Sequence, residues 1–300
     1  MKHIRRSLLA VALLLAGTGV TVAAPAQAVS LNFDEGFAGA DGTRITNQWQ
    51  NTHGVSFSTN KSHGLLLYDT ACKGKGGDNG YSANGFTNVC TGGDRDLATG
   101  KGAYKQGGNW YGYDTPEQGN VLIIQENSSN TPDDNGSGGK VFIDFDLDKF
   151  ASGITFDKFG FVDLDEAIIR NQKLNFTFAY ADGRDDFTID NDNYETYVTD
   201  TVLSKEWDFN SNTKTGRTGG ALEGDNSFRE FTFDNGNGDF DGIKQIIVNY
   251  QGASGAIASF DYQETQSPED PASVPEPGAA AALGLFALGT VRTLKRRAAQ

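Results

Sequence analysis

Between residue 29 and about residue 263, apolar side chains recur at every second position, in short runs cut off by Gly, Asn and Asp. Val141, Ile143 and Phe145 fall on one face of an extended chain. So do Leu174, Phe176, Phe178 and Tyr180, then Ile246, Val248 and Tyr250, then Ala258, Phe260 and Tyr262. A period of two marks half-buried strands, because successive side chains of a strand point to opposite faces. Composition adds strands at 31–33, 54–58, 65–68, 121–125, 154–162 and 228–233, with turn-forming residues in almost every gap. About ten short strands in roughly 235 residues, with few helical periodicities, predict one all-β domain. The expected architecture is a single jelly-roll-like antiparallel β-sandwich.

Both ends of the chain depart from that pattern. Lys2, Arg5 and Arg6 precede the apolar stretch 8–22, and Ala26-Gln27-Ala28 supplies the small residues that signal peptidase cuts after. Residues 1–28 therefore read as a signal peptide, with mature protein expected to start at Val29. Near the other end stand Val274-Pro275-Glu276-Pro277, then an apolar run over 279–291, then Arg292, Lys295, Arg296 and Arg297. That run is about 13 residues, roughly 20 Å as a helix, against the roughly 30 Å of hydrocarbon that a stable span must cross. It suits brief residence at the inner membrane, with the basic end left in the cytoplasm and Pro-Glu-Pro exposed on the far side.

This order of signature, short apolar stretch and basic end resembles the PEP-CTERM sorting signal of Gram-negative-type bacteria. The resemblance implies recognition and removal by an exosortase, and delivery to the cell surface or extracellular matrix. The predicted layout is signal peptide 1–28, ectodomain 29–263, a polar Pro-containing linker 264–273 and sorting signal 274–300 with a short hydrophobic helix. The membrane is then a transient partner, as with the removable tail of a GPI signal.

Setting both ends aside sharpens the charge. The leader takes three of the 25 Lys plus Arg and the tail four, leaving 18 basic against 39 acidic groups over residues 29–278, a net of about −21. A surface this acidic repels nucleic acid and attracts cations, so DNA and RNA binding are excluded.

One internal stretch resists the strand pattern. Residues 71–119 run for nearly 50 positions with dense Gly and no sustained alternation, far beyond an ordinary connection. Cys72 and Cys90, the two cysteines of the chain, both lie there. In an exported protein an even pair predicts one disulfide, worth on the order of 3 kcal/mol through loop entropy. Two cysteines are too few for structural zinc, and His53 and His63 show no metal-ligand spacing.

The body is also similar to the uncharacterised β-rich ectodomains common among PEP-CTERM proteins. The resemblance rests on short pieces: Ile45-Thr46-Asn47-Gln48, Gly54-Val55-Ser56-Phe57, Gly93-Asp94-Arg95-Asp96-Leu97, Gly119 through Ile124, Gly160 through Asp165, and Gly252 through Ile257. It implies an exported sandwich and brings no established activity.

Calcium is the expected ligand, since hard cations take carboxylate, carbonyl and amide oxygens from irregular Asp-, Asn- and Gly-rich loops. The candidates are Asp34 and Glu35 near the first strand with Asp261 near the last, Asp163 with Asp165 at a strand end, and Asp94 with Asp96 in the long stretch. Asn237-Gly238-Asp239-Phe240-Asp241-Gly242 mimics the start of an EF-hand loop, but its twelfth position is Val248. Asp163-Leu164-Asp165-Glu166 is similar to the acidic trio of laminarinase-type glycosidases, yet Glu166 falls on the opposite strand face, so the acid and nucleophile pair is not formed. No Gly-x-Ser-x-Gly elbow appears. Trp110, Tyr111 and Tyr113 are candidates for stacking on sugar rings, with Trp49 and Trp207 as further loop aromatics.

The sequence thus predicts a non-catalytic surface or matrix protein, calcium-stabilised and binding exopolysaccharide, with signal peptidase and exosortase as partners during export. The alternatives are a divergent glycosidase or polysaccharide lyase on the same fold, and a self-associating structural adhesin.

Overall fold

The computed structural model describes residues 28–35, 41–71, 81–83, 86–88, 96–106, 109–164, 174–190, 192–208, 220–221, 226–234, 236, 238–252 and 254–266. Within 81–83, 86–88, 102–106, 109–112, 206–208 and 220–221 the description covers backbone only. All of these residues belong to one unit, Ala26–Gln266.

In chain order the elements are β1 (Val29–Asn32), β2 (Arg44–Ile45), α1 (Gln50–His53), β3 (Val55–Thr59), β4 (Leu65–Asp69), β5 (Tyr81–Ala83), β6 (Phe86–Asn88), β7 (Gly100–Gln106), β8 (Asn109–Thr115), β9 (Asn120–Ile124) and β10 (Gly139–Phe145). There follow β11 (Ile154–Val162), β12 (Leu174–Tyr180), β13 (Phe187–Ile189), α2 (Tyr194–Tyr197), β14 (Val198–Val202), β15 (Lys205–Asp208), β16 (Gly220–Ala221), β17 (Phe228–Phe233), β18 (Ile243–Tyr250) and β19 (Ala256–Glu264). Every strand expected from the sequence is present, and all pairings among the described residues are antiparallel.

The strands form a sandwich. In one layer β18 is flanked by β12 and β10, with β13 and β3 outside them. In the facing layer the order is β14, β17, β11, β19; the far flank of β19 is then shared by β1 and β9, and β4 and β2 continue from β9. The pairing of Ile154 with Ile243 joins the two layers at one corner. Between them lies an aromatic-rich core. Phe159 of β11 stacks on Phe176 of β12 at 5.7 Å, Phe57 of β3 meets Phe260 of β19 edge-on at 6.1 Å, and Phe145 of β10 meets Tyr262 at 5.2 Å. Such pairs add about 0.5–1.5 kcal/mol each beyond the area they bury.

The long stretch 71–119 is not a plain connection. Part of it forms β7 and β8, which join β15 and β16 in a separate four-stranded sheet, and β5 pairs with β6 as a hairpin. Leu97, Ala98 and Tyr113 from this excursion cluster with Leu66, Tyr68, Val121, Ile123, Val162, Phe228, Ala256 and Ala258. Those residues point away from the main core, so the outer face of the second layer carries a second, smaller core. Leu65 to Tyr68 and Asn120 to Ile124 are accordingly buried at every position. A strand covered on both faces has no polar side to alternate with.

Two hydrogen-bonded clasps tie the excursion down. At one root Thr70 Oγ1 and Thr99 Oγ1 lie 2.7 Å apart, Thr70 Oγ1 donates to the Gly119 carbonyl at 2.7 Å, and Gln118 N donates to Thr99 Oγ1 at 3.1 Å. At the other, the buried, left-handed Asn226 (φ 61°) donates through Nδ2 to the Ala98 carbonyl at 3.0 Å and through its backbone to the Asp96 carbonyl at 2.6 Å, and its carbonyl accepts from Thr115 Oγ1 at 2.5 Å. Asn tolerates this backbone region better than most residues.

Candidate functional site

Among the described residues the third sheet covers one end of the outer face. At the other end β11 bulges at Asp157, between the paired positions Phe156 and Lys158, β1 begins, and the chain leaves β17 to turn back into β18. These features wall a groove of about 490 Å³, lined by Val29 and Ser30, by Thr155 to Asp157, by Thr232 to Asp234, by Phe240 and Asp241, and by Asp261 to Gln263.

The end of the turn that forms one wall, Asp239 to Gly242, is held by hydrogen bonds. Phe156 N donates to the Phe240 carbonyl at 2.9 Å, and Thr155 Oγ1 donates to Asp241 Oδ1 at 2.7 Å. Gly242 N donates to Thr265 Oγ1 at 2.9 Å. From β12, Tyr180 Oη donates to the Asp239 carbonyl at 2.7 Å, while the Arg184 guanidinium lies 3.6 Å over the Tyr180 ring and donates to the Asp241 carbonyl. Burial pushes the Tyr180 phenol up to about 12, against the opposing pull of Arg184. Cation, ring and turn thus brace one another.

The groove is electronegative. Asp157, Asp234, Asp241 and Asp261 all line it. Beside them, Lys158 Nζ lies 3.1 Å from Glu230 Oε1 and 3.4 Å from Asp261 Oδ2. Burial lowers the Lys158 pKa, but the Glu230 hydrogen bond and the Asp261 and Glu230 charges outweigh it, and the net direction is upward. Asp261 Oδ1 is enclosed and has no hydrogen-bond partner. Carboxylate, hydroxyl and amide groups over an apolar floor suit a polyhydroxylated ligand, whose hydroxyls can donate to the carboxylates.

The described residues among those expected to hold calcium are not brought together. Asp261 pairs in register with Ser30, whereas Asp34 lies past the last pair, Asn32 with Ser259, on the order of 13 Å away along the strand. Asp34 Oδ1 is already engaged, accepting from Asn120 N at 2.8 Å and Nδ2 at 3.0 Å. Glu35 instead pairs with His53, Oε2 to Nε2 3.2 Å, a partner for His53 that sequence reasoning missed. The strand alternation expected to carry Asp163 and Asp165 onto one face does not reach Asp163. β11 stops at Val162, and Asp163 takes a left-handed backbone (φ 56°) with only 1 % of its surface exposed. Asp96 sits at the Asn226 clasp, its Oδ1 accepting from Leu97 N at 3.1 Å. Among the described residues there is no group of three or more His, Cys, Asp or Glu side chains able to hold a metal. Asp94 and Asp165 lie outside the described residues.

The aromatic expectation also changes. Tyr113 is 1 % exposed within the second core and Trp49 is 2 % exposed in the main core, so neither ring offers a face to a sugar. The side chains of Trp110, Tyr111 and Trp207 lie outside the description, as do Cys72, Cys90 and the sorting residues Val274, Pro275, Glu276, Pro277, Arg292, Arg296 and Arg297. No helix among the described residues is long and apolar enough to cross a membrane. The groove was legible only in part: Asp261 was singled out, and its turn was noticed as a failed EF-hand loop. The bulge at Asp157 had no sequence signal beyond the break in alternation between Phe156 and Phe159.

No protein-family model matches this chain, and neither the curated proteins nor the solved structures contain a match to it.

Proposed function

We propose that this is an exported, exosortase-processed protein of the bacterial surface or extracellular matrix, non-catalytic, whose open groove binds the hydroxyl-rich chains of an exopolysaccharide. The observation that carries the reading is the pair of ends around the β-rich body. A basic then apolar leader stands before Val29, and Pro275-Glu276-Pro277 stands before a short apolar run and a basic end. A chain processed at both ends arrives with a net charge of about −21, which keeps it soluble among polysaccharides and away from nucleic acid.

The groove offers a surface for such a ligand. Its carboxylates accept from sugar hydroxyls, Ser30, Thr155 and Thr232 both donate and accept, and Gln263 contributes an amide. The burial of Asp163 weighs against the glycosidase alternative, which needs that carboxylate at a cleft. Calcium enters this proposal through Asp94 and Asp165, since Asp34 and Asp261 are separately engaged.

The test is to express the full chain in hosts with and without an exosortase, then fractionate and weigh the product. The expected product lacks the tail only when the exosortase is present, is found outside the inner membrane, and is retained on the host's exopolysaccharide. Retention should fall several-fold in Asp157→Asn/Asp234→Asn. An intact tail in both hosts sinks the sorting half, and unchanged retention in the double variant sinks the groove.

A further inference from the structure

Part of the groove wall is the first described strand and the residue before it. Ala28 is exposed, and Ala28, Val29 and Ser30 all line the groove. β1 begins at Val29, where the register pairs Val29 with Tyr262 and Ser30 with Asp261, so the Val29 nitrogen opens a strand that lines the groove together with Asp261. The bond preceding that nitrogen is the one that follows Ala26-Gln27-Ala28, where signal peptidase is expected to cut. Hydrolysis there consumes one water. The Ala28 carbonyl departs with the leader as a carboxylate, and the neutral peptide nitrogen of Val29 becomes a protonated α-amino group.

We propose that the Val29 α-ammonium created by this cleavage remains in the groove as the counter-ion of its carboxylates, so that removal of the leader completes the site. The inference rests on the export reading above and adds to it a role for the new N-terminus. β19 contributes Asp261, with Glu264 further along, and β11 contributes Asp157. The turn between β17 and β18 contributes Asp234 and Asp241. Among the described residues two cations oppose these: Lys158, engaged by Glu230 and Asp261, and Arg184, engaged by the Asp241 carbonyl. Carboxylates outnumber them, and the enclosed Asp261 Oδ1 has no hydrogen-bond donor of its own. Opposite charges lining the same groove favour the protonated amine.

Linkage fixes the sign. An amine whose folded pKa is raised contributes stability that is fully present below its unfolded value of about 7.7 and is lost as pH rises through the folded value. The precursor, with a peptide nitrogen at the same place, lacks this contribution. Processed chains should therefore outlast leader-bearing chains at pH 6 and converge with them at alkaline pH.

The experiment is to export the full chain, identify the first residue of the product by N-terminal sequencing, and titrate its α-amino group by competitive acylation with mass-spectrometric readout. The expected result is Val29 at the N-terminus with an apparent pKa at least one unit above about 7.7, falling back in Asp261→Asn and in Asp234→Asn. A product starting elsewhere overturns the export reading at this bond and the inference with it. A product starting at Val29 whose amine titrates at the ordinary value, indifferent to both substitutions, overturns the inference alone.

Discussion

The same three strands, β11, β17 and β19, carry two different surfaces on one side of the sandwich. Toward one end their outward residues are Val162, Phe228, Ala256 and Ala258, buried under the third sheet. Toward the other they are Lys158, Glu230, Thr232 and Asp261, around the groove. Gly160 stands near the crossover: a Cβ there would meet Ser259 Oγ at 2.7 Å and the Phe228 ring at 2.9 Å, so the close approach of that ring depends on glycine. The contrast teaches that a strand need not be amphipathic along its whole length. Its outward face can be structural at one end and open to ligand at the other, and the switch is set by which outward positions are apolar.

Perturbations of the two ends should part company. Alkaline pH has the largest expected effect, and it acts on the main core. Burial raises the pKa of Tyr180, Tyr194, Tyr250 and Tyr262 above the ordinary phenol value. The unfolded chain therefore sheds these protons first, and stability falls as pH climbs above about 10, by up to about 1.4 kcal/mol per pH unit for each tyrosine still neutral in the fold. A pH series of urea melts that stays flat to pH 11.5 would contradict this burial.

Next comes Tyr113→Ala, which empties the second core and should cost about 3–5 kcal/mol, with residues 96–115 becoming the first site of proteolysis. Loss of stability without local cleavage would mean that the third sheet does not rest on Tyr113. Gly119→Ala follows at roughly 2–4 kcal/mol. The position has φ +67°, and the new Cβ would fall 2.0 Å from Asp34 Oδ2, displacing the carboxylate that holds Asn120. Asn226→Ala removes the donor to the Ala98 carbonyl and should cost about 1–3 kcal/mol, again seen as release of 96–115 in limited proteolysis. Lys158→Met, at the open end, is expected to change stability by no more than about 1 kcal/mol, while altering retention on polysaccharide. A large loss of stability there would mean that the open end is structural after all.

Much of this fold could be read from alternation: the strands at 141–145, 174–180, 246–250 and 258–262 lie where their apolar positions put them. The third layer was also written in the sequence, in a signal of a different kind. Leu65-Leu66-Leu67-Tyr68 and Val121-Leu122-Ile123-Ile124 have no polar phase, which requires cover on both faces. What could not be read was the cover itself, because β7 is rich in Gly and Lys and β8 meets β15 across more than 90 positions, Lys205 with Asp114. The site was less legible still. Asp34, Glu35, Asp163 and Asp261 look alike as turn carboxylates, and only the register separates the one that holds a neighbouring strand, the one that meets a histidine, the one that is buried and the one that faces a groove.

The most direct test of the two-ended face is hydrogen exchange on the exported protein, with and without the host's exopolysaccharide. The account predicts that segments 65–68 and 121–124 are strongly protected in both states, and that 155–158, 232–241 and 259–263 gain protection only when the polysaccharide is added. Rapid exchange at 65–68 and 121–124 without ligand, or ligand protection that falls anywhere except the groove segments, would contradict it.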